Sequence, residues 1–179
     1  MSHCPARPTR LSARAVIVAD SEATISPRRR KTVSDYEFSA DPGRVDRARV
    51  HGWLTELSYW AKGRDRAVTD AAFDGSRLFG LYEVGTGEQA AFCRVVTDGA
   101  TFAWLADVFV DPDRRGAGLG QRLVAEVLAV LEPLRLRRVL LATADAQGLY
   151  ARHGFGALPD PERWMVRPST PVASSATVD

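Results

Sequence analysis

A glycine-rich segment at residues 114–121, with the sequence RRGAGLGQ, has the composition best suited to chemistry. It lies between an apolar run and an amphipathic helical pattern. Backbone N–H groups at a helix start lack intrahelical acceptors, and the helix dipole favours an anion there. Glycines remove Cβ atoms that would keep a phosphate away from those amides, and Arg115 adds a fixed positive charge. The segment therefore predicts a phosphate-binding site.

The spacing of this segment excludes two common phosphate loops. A Walker A loop needs Gly-Lys-Ser/Thr, which the segment lacks. A dinucleotide fingerprint needs a third glycine where Gln121 stands, and no βαβ unit precedes it. The remaining pattern is R-x-x-G-x-G, formed by Arg115, Gly118 and Gly120.

This pattern, with Val110-Asp111-Pro112 before it, resembles the CoA-binding motif of the GNAT N-acetyltransferase superfamily. Residues 149–155 (LYARHGF), with Ala146 before them, resemble that superfamily's A-x-x-L-Y-x-x-x-G-F segment. One helix and one buried strand separate the two motifs, as that fold requires. The resemblance covers roughly residues 33–167, and residues 161–167, with Trp60, are similar to a poorly characterised bacterial branch.

The resemblance implies an α/β (α+β) fold with a mixed, mostly antiparallel central sheet, a splayed strand and flanking helices. It implies direct transfer of an acetyl group from acetyl-CoA to a primary amine of a small molecule or peptide, without a covalent enzyme intermediate. The alternative is a non-catalytic acyl-CoA-binding or regulatory module with the same loop. The implied CoA-binding residues are Val108, Phe109, Val110, Arg115, Gly116, Ala117, Gly118, Gly120 and Gln121.

Tyr150 and Asp107 are the candidate catalytic residues. Tyr150 matches the superfamily's usual tyrosine, and a phenol with a pKa of about 10 can donate a proton to the departing thiolate. The alternative is a core tyrosine. Asp107 lies in an apolar run where burying an acid is costly. It is therefore a general base, half of an ion pair with a neighbour such as Arg94, or an outward-facing side chain. A water chain could also serve as the base.

Other polar and aromatic residues are weaker candidates. We expect His153 to be a surface residue, because it points about a turn away from Tyr150 on a short helix. Asp145 and Gln147 stand where the superfamily often has an asparagine, and we assign them no role. The aromatic candidates for the acceptor pocket are Tyr59, Trp60 and Tyr82.

Hydrophobic periodicity and turn residues predict the elements that position these groups. We expect a first strand at residues 36–39 and an N-cap at Asp41. A helix should carry Val50, Trp53, Leu54 and Leu57 on one face, and a second should lie near residues 65–73. Three antiparallel strands are predicted at residues 77–83, 89–97 and 102–110. There follow a helix at 118–131, a buried central strand at 139–143, a short helix at 146–153 and two last strands at 155–158 and 164–167.

Composition favours an ordinary soluble domain, with 45% apolar and 26% charged residues and a net charge of +2. We predict a domain at residues 33–167 between a disordered basic tail at 1–32 and a second tail at 168–179. The basic tail could bind nucleic acid or act as a transit peptide, but a solvated arm is favoured. Cys4, Cys93 and three histidines show no metal-site spacing. We therefore expect a cytoplasmic protein without metal, membrane or nucleic-acid partner, and the resemblance to the GNAT superfamily implies a monomer or homodimer.

Overall fold

The computed structural model describes residues 31–167, which form a five-stranded sheet flanked by helices. The strands lie in the order β1-β2-β3-β4-β5. In chain order the elements are β1 (Tyr36–Ser39), α1 (Arg47–Leu57), α2 (Arg66–Asp74), β2 (Arg77–Glu83), β3 (Gln89–Thr97), β4 (Phe102–Val110), α3 (Leu119–Leu131), β5 (Arg138–Leu140) and α4 (Gln147–Ala151).

Strands β1 to β4 are antiparallel to their neighbours, and β5 pairs with β4 in parallel. The bounds of β2, β3 and β4 coincide with the three strands that the sequence predicts. Glycines with positive φ end two of the strands, at Gly85 and Gly87 after β2 and at Gly99 after β3. The mixed, mostly antiparallel sheet with flanking helices is confirmed.

Each face of the sheet has its own apolar core. On one face, Leu119, Leu123 and Val127 of α3 pack against residues such as Leu81 of β2. On the other face, a second cluster joins α1 and α2 to the sheet. Its side chains are Val50, Trp53, Leu54, Ala61, Phe73, Leu78, Phe92 and Phe109. The sheet is therefore the middle layer of the fold, with an apolar core packed against each of its two faces.

A β-bulge interrupts β4 at Asp107, which has a φ of +51°. The pairing register shifts between Arg94↔Ala106 and Phe92↔Phe109, so β4 carries one extra residue there. Before the bulge, Leu105 belongs to the core on the α3 side of the sheet. Asp107, two residues later, does not belong to that core, whereas its neighbour Val108 packs against it. Because side chains alternate between the two faces of a sheet, the extra residue moves the following side chains of β4 to the opposite face.

Strands β4 and β5 diverge after a short paired stretch. They pair only from Phe102↔Arg138 to Trp104↔Leu140, although β4 continues to Val110. The second half of β4 therefore has β3 on one side and an open edge on the other. This divergence is the splayed strand expected from the sequence.

Several local predictions need correction. The first helix begins after Asp46, whose side chain accepts from the Arg49 N–H, while Asp41 caps a separate 3₁₀ turn at Pro42–Arg44. Strand β5 is shorter than the predicted 139–143 and lies last in the sheet rather than centrally, because the chain leaves β4 after Leu140.

The two last predicted strands, at residues 155–158 and 164–167, are wrong. Both segments are irregular, with a 3₁₀ turn at Pro161–Arg163 between them. Gly156 and Pro159 interrupt the first segment, and Met165 and Val166 in the second are almost fully exposed. A short strand without a buried face gains too little to order its backbone.

The predicted tails fall almost entirely outside the described residues, and so does the candidate nucleic-acid segment. Lys31 and Thr32 are the exceptions: Lys31 forms an ion pair with Glu83, and the Thr32 N–H donates to Asp35. Within residues 31–167 no helix is long and apolar enough to cross a membrane.

Candidate active site

The divergence of β4 from β5 opens a cleft of about 710 Å³. One wall is the open edge of β4 from Trp104 to Val110, and the other is the chain from Leu141 to Ala146 with Tyr150 of α4. The cleft is also lined by Tyr59, Trp60, Arg94 and Arg115. The cleft thus joins the candidate phosphate loop, the candidate acid and the candidate base, which are distant in sequence.

The loop before α3 presents a run of backbone donors. The N–H groups from Gly116 to Gln121 have no acceptor within residues 31–167; the next amide, of Arg122, donates to the Gly118 carbonyl at 3.1 Å. Gly116 and Gly118 have φ of +81° and +78°, which a side chain would strain. Consecutive unpaired amides at a helix N-terminus form an anion-binding surface. That this surface binds a phosphate stays a prediction.

Two residues of the motif have a structural role that the sequence did not reveal. A Cβ atom at Gly120 would lie 3.0 Å from the Leu149 side chain, so the missing side chain lets α3 approach α4. The Gln121 side-chain amide donates to the Leu149 carbonyl at 3.3 Å. The two motifs are therefore in direct contact, which explains why their relative spacing matters.

The adjacent arginines Arg114 and Arg115 have different environments. Arg114 is mostly buried and forms ion pairs with Glu83 and Glu88, which anchor the loop to the β2–β3 turn. Arg115 is exposed, donates to the Val110 carbonyl at 3.2 Å and lies over the Phe109 ring. Within the described chain no carboxylate lies within salt-bridge distance of Arg115. Its charge is therefore free to attract an anion at the loop.

The open edge of β4 offers one further donor, the N–H of Val110. The Asp111 N–H donates to the Ala90 carbonyl of β3 at 2.9 Å. Because backbone groups alternate along a strand, the N–H of Val110 points the other way, into the cleft. The position of Arg115 beside the Val110 carbonyl agrees with this direction. An extended ligand can therefore pair with this edge.

The Asp107 carboxylate is held by three side chains. Oδ2 accepts from Arg64 Nη1 at 2.8 Å and Arg94 Nε at 2.7 Å. Oδ1 accepts from Trp60 Nε1 at 3.1 Å and Arg64 Nη2 at 3.2 Å. Burial alone would raise the pKa of Asp107, but the hydrogen bonds from the two arginines outweigh it and the pKa lies below its ordinary value.

This geometry favours the second of the three interpretations of Asp107, the ion pair with Arg94. A carboxylate has about four lone-pair sites, and all four are engaged. Its lowered pKa also makes it a weak base toward an ammonium group with a pKa of about 10.4. Asp107 is therefore better suited to position its neighbours than to accept a proton.

Tyr150 lies in the cleft wall on α4, 8% exposed, with its ring edge-on to Phe155 at 5.9 Å. Burial raises the pKa of Tyr150 to about 12, with smaller contributions from Cys93, Tyr59 and Asp145. The phenol is therefore protonated at neutral pH. Among residues 31–167 its hydroxyl has no hydrogen-bond partner, and the residue lines the cleft. It is available to donate to a bound molecule.

The weaker candidates separate into two groups. Tyr59 and Trp60 line the cleft, and Tyr59 accepts a hydrogen bond from the Ala144 N–H at 3.0 Å. Tyr82 does not line it: the ring is buried under Arg44, which corrects the expectation that it lines the acceptor pocket. His153 lies outside the cleft.

The two polar residues before α4 also differ. The Gln147 side chain donates to the carbonyls of Thr143 and Ala144, so it closes the turn before α4. Asp145 lines the cleft and is exposed. Of the two, only Asp145 offers a charge to a ligand.

We expect Tyr82→Phe to leave the protein as stable as the original or more stable by about 1 kcal/mol. The Tyr82 hydroxyl is buried without a hydrogen-bond partner among the described residues, and burial raises its pKa to about 12. Removing an unsatisfied hydroxyl removes its desolvation cost. Urea unfolding followed by tryptophan fluorescence measures the free energy of unfolding. A loss above 1 kcal/mol would show that the hydroxyl has a stabilising partner.

Some site residues were missed in the sequence. Arg64 follows a glycine in an unremarkable polar stretch, and only the fold brings it to Asp107, which lies 43 residues away. Trp104 alternates outward on β4 and lines the cleft. The only available signal was an acid inside an apolar strand, which required cationic partners but did not identify Arg64.

Comparisons with known proteins agree with this geometry. A family profile described as "Acetyltransferase (GNAT) domain" matches residues 74–156. A candidate acetyltransferase from Gibberella zeae is 32% identical over 142 residues, which cover 68% of this chain and 79% of that protein. The crystal structure of a candidate GNAT-family acetyltransferase from Xanthomonas campestris pv. campestris is 41% identical, with a TM-score of 0.70 over 75% of this chain and 93% of that one.

A more distant structure shares the fold. A Mycobacterium tuberculosis protein, solved in complex with CoA, is 19% identical with a TM-score of 0.55 over 66% of this chain and 70% of its own. Taken together, fold, site and relatives show that the chain belongs to the GNAT family of acetyltransferases and is an N-acetyltransferase. Among the described residues no group of three or more His, Cys, Asp or Glu side chains could hold a metal ion.

Proposed function

We propose that the protein transfers an acetyl group directly from acetyl-CoA to a primary amine of a small molecule or peptide. The observation that carries this proposal is the run of unpaired amides from Gly116 to Gln121 beside the open edge of β4. Pyrophosphate needs such donors, and an extended pantetheine arm needs such an edge. The CoA bound by the Mycobacterium tuberculosis relative is consistent with this choice of donor substrate.

The proposed division of the cleft follows from the positions of these groups. The loop and Arg115 hold the pyrophosphate of CoA, while Val108, Phe109 and Val110 line the path of the pantetheine arm. The thioester then lies near the C-terminal end of β4, where the Val110 N–H can stabilise the developing oxyanion. The acceptor enters from the end lined by Tyr59, Trp60 and Trp104.

Tyr150 is the proposed general acid. When the amine attacks the thioester carbonyl, the new C–N bond forms, the C–S bond breaks and the thiolate leaves with the electron pair. The protonated phenol of Tyr150 supplies the proton to that sulfur. Because Asp107 is saturated by Arg64, Arg94 and Trp60, we assign removal of the amine proton to water in the open cleft.

An acceptor screen tests the proposed function. The purified protein is incubated with acetyl-CoA and a panel of primary amines, and free CoA thiol is detected. We expect release above the hydrolytic background with at least one amine, and an N-acetylated product by mass spectrometry. Tight CoA binding with no release for any amine would instead support the non-catalytic acyl-CoA-binding module.

Arg115→Met should weaken CoA binding by about tenfold, because it removes one charge-assisted contact to phosphate. The Arg115 side chain has no ion pair to lose within the described part of the chain, so the free energy of unfolding should hardly change. Titration calorimetry with CoA and with pantetheine, which has no phosphate group, separates the effect on phosphate binding from the effect on binding of the pantetheine arm.

Arg137→Met is the matched control, since Arg137 is also exposed but lies outside the cleft. It should leave the affinity for CoA unchanged. Equal affinity of the Arg115 variant and the original protein for CoA would remove Arg115 from the proposed phosphate site.

A further inference from the structure

We infer that the amine acceptor of this protein carries a negatively charged group, which binds at Arg94. This inference rests on the proposed function and specifies its substrate class. It starts from the excess of positive charge around Asp107. Two guanidinium groups, of Arg64 and Arg94, share one carboxylate, so the cluster has a formal charge of +1.

The cluster can offer donors to a ligand but no acceptors. The four lone-pair sites of Asp107 are occupied by Arg64, Arg94 and Trp60. Arg94 uses Nε for Asp107 and Nη1 for Ser76, at 2.7 and 3.2 Å. Its Nη2 has no partner within residues 31–167, although the residue lines the cleft. A ligand group that meets this nitrogen must accept a hydrogen bond, and an anion does so best.

Arg94 is well prepared to bind an anion. Its side chain is 16% exposed and is fixed by Asp107 and Ser76 on both sides of the guanidinium group. A fixed guanidinium loses little conformational freedom on binding, so more of the interaction energy appears as affinity. Because Arg94 is partly buried, solvent and salt screen its charge less than they screen the charge of an exposed side chain.

The opposite wall carries the opposite charge. Asp145 lines the cleft beside Tyr150, whose pKa it helps to raise. An acceptor with an anion at Arg94 would therefore point its amine toward Asp145 and Tyr150. This places the amine on the side where the proposed acid acts. Electrostatics would thus orient the acceptor as well as hold it.

The cleft also selects the body of the acceptor. Trp60 and Trp104 line it and are 43% and 39% exposed, and Tyr59 lies edge-on to Trp60 at 4.9 Å. Large exposed aromatic rings in a cleft favour an apolar or planar ligand. The structure therefore favours a primary amine joined through an apolar or aromatic body to an acidic group.

Matched acceptors test this inference. The pairs are γ-aminobutyrate with γ-aminobutyramide, and para-(aminomethyl)benzoate with para-(aminomethyl)benzamide, so each pair differs mainly in charge. Aminopropyl phosphate tests whether a phosphate can replace the carboxylate. At saturating acetyl-CoA, we expect kcat/KM to be about 10- to 100-fold higher for the acid of each pair, the value of a charge-assisted contact. The benzoate should exceed the aliphatic acid.

Arg94→Met should abolish this preference by lowering kcat/KM about 10- to 100-fold more for the acids than for the amides. Arg77→Met is the control, because Arg77 is exposed on β2 and outside the cleft; it should keep the preference. CoA affinity and the unfolding temperature, measured for each variant, separate a lost contact from a damaged fold. If Arg94→Met does not fold, the comparison of acid and amide acceptors with the original protein tests whether the acceptor carries an anion.

The outcomes distinguish this inference from the proposed function. Faster transfer to the amides than to the acids would overturn the inference and leave acetyl transfer intact. An unchanged preference in a folded Arg94→Met protein would overturn the assignment of the anion to Arg94. Absence of transfer to every amine would overturn the proposed function itself. Preference for aminopropyl phosphate over both carboxylates would support an anion at Arg94 and define it as a phosphate monoester.

Discussion

Tyr150→Phe is expected to lower kcat by about 10²-fold or more while leaving the affinity for CoA nearly unchanged, the usual effect of removing a general acid. Tyr150 lines the cleft, and its hydroxyl has no hydrogen-bond partner among residues 31–167, so its loss removes a donor without leaving a buried protein group unpaired. The ring keeps its contact with Phe155. Steady-state kinetics with acetyl-CoA and the best amine measure kcat, and calorimetry measures the affinity.

The pH dependence sharpens this prediction. The pKa of Tyr150 is raised to about 12, so the phenol should remain protonated throughout the range of ordinary assays. Ionisation of the acid should then produce no fall in kcat between about pH 7 and pH 10, and any rise there reports deprotonation of the amine. A fall in kcat with an apparent pKa near 8 or 9 would point to a different acid.

Tyr82→Phe is the matched control for this experiment. Both tyrosines are largely buried and both have a pKa raised to about 12, but only Tyr150 lines the cleft. Tyr82→Phe should keep the original kcat. If Tyr150→Phe also turned over at the original rate, Tyr150 would be a core tyrosine, and another group or water would protonate the thiolate.

The sequence predicted the elements whose ends carry strong turn residues. Gly85 and Gly87 mark the end of β2, Gly99 marks the end of β3, and Asp111-Pro112 marks the end of β4, because all of these residues favour turns. The run of unpaired amides before α3 was also predictable, since it depends on a helix start and on local glycines. These features depend on neighbours in sequence, which a single chain displays directly.

Features that depend on distant partners were not predictable. The bulge at Asp107 has no local marker, and Asp107 alone could be a base or half of an ion pair until Arg64 and Arg94 are placed beside it. Residues 155–158 and 164–167 have strand-like composition, but a strand also needs an edge and a buried face. No propensity of those residues reports whether the fold provides them.

Asp107→Asn is expected to reduce the free energy of unfolding by about 3 kcal/mol at neutral pH, the typical cost of removing one partner from a buried ion pair. The Asp107 side chain is 2% exposed and pairs with both Arg64 and Arg94, which are 19% and 16% exposed. Asparagine tolerates the positive φ of 51° at this position, so the backbone cost is small. Urea unfolding measures the difference.

Asp160→Asn is the matched control. Asp160 also has a positive φ, of 50°, and pairs with an arginine, Arg163, but both side chains are mostly exposed. Exposed pairs contribute little to stability, so this variant should unfold almost as the original protein does. A similar loss in both variants would mean that the backbone conformation, rather than the buried ion pair, stabilises the bulge.

The pH dependence of stability tests the state of the carboxylate in the folded protein. The pKa of Asp107 lies below its ordinary value, so its contribution is fully present above the unfolded pKa of about 3.9 and is lost as the pH falls through the lower folded pKa. The stability difference between Asp107→Asn and the original protein should therefore stay constant from about pH 8 to pH 5 and shrink only below about pH 4.

The kinetics of Asp107→Asn separate a positioning residue from a general base. A positioning residue should affect mainly the KM of the acceptor, because Arg94 and Trp60 lose their common anchor, and the pH profile of kcat should keep its shape. A general base would lower kcat by about 10²- to 10⁴-fold and remove the acidic limb of the profile. Loss of that limb with an unchanged KM would return Asp107 to the role of base, despite its two guanidinium partners.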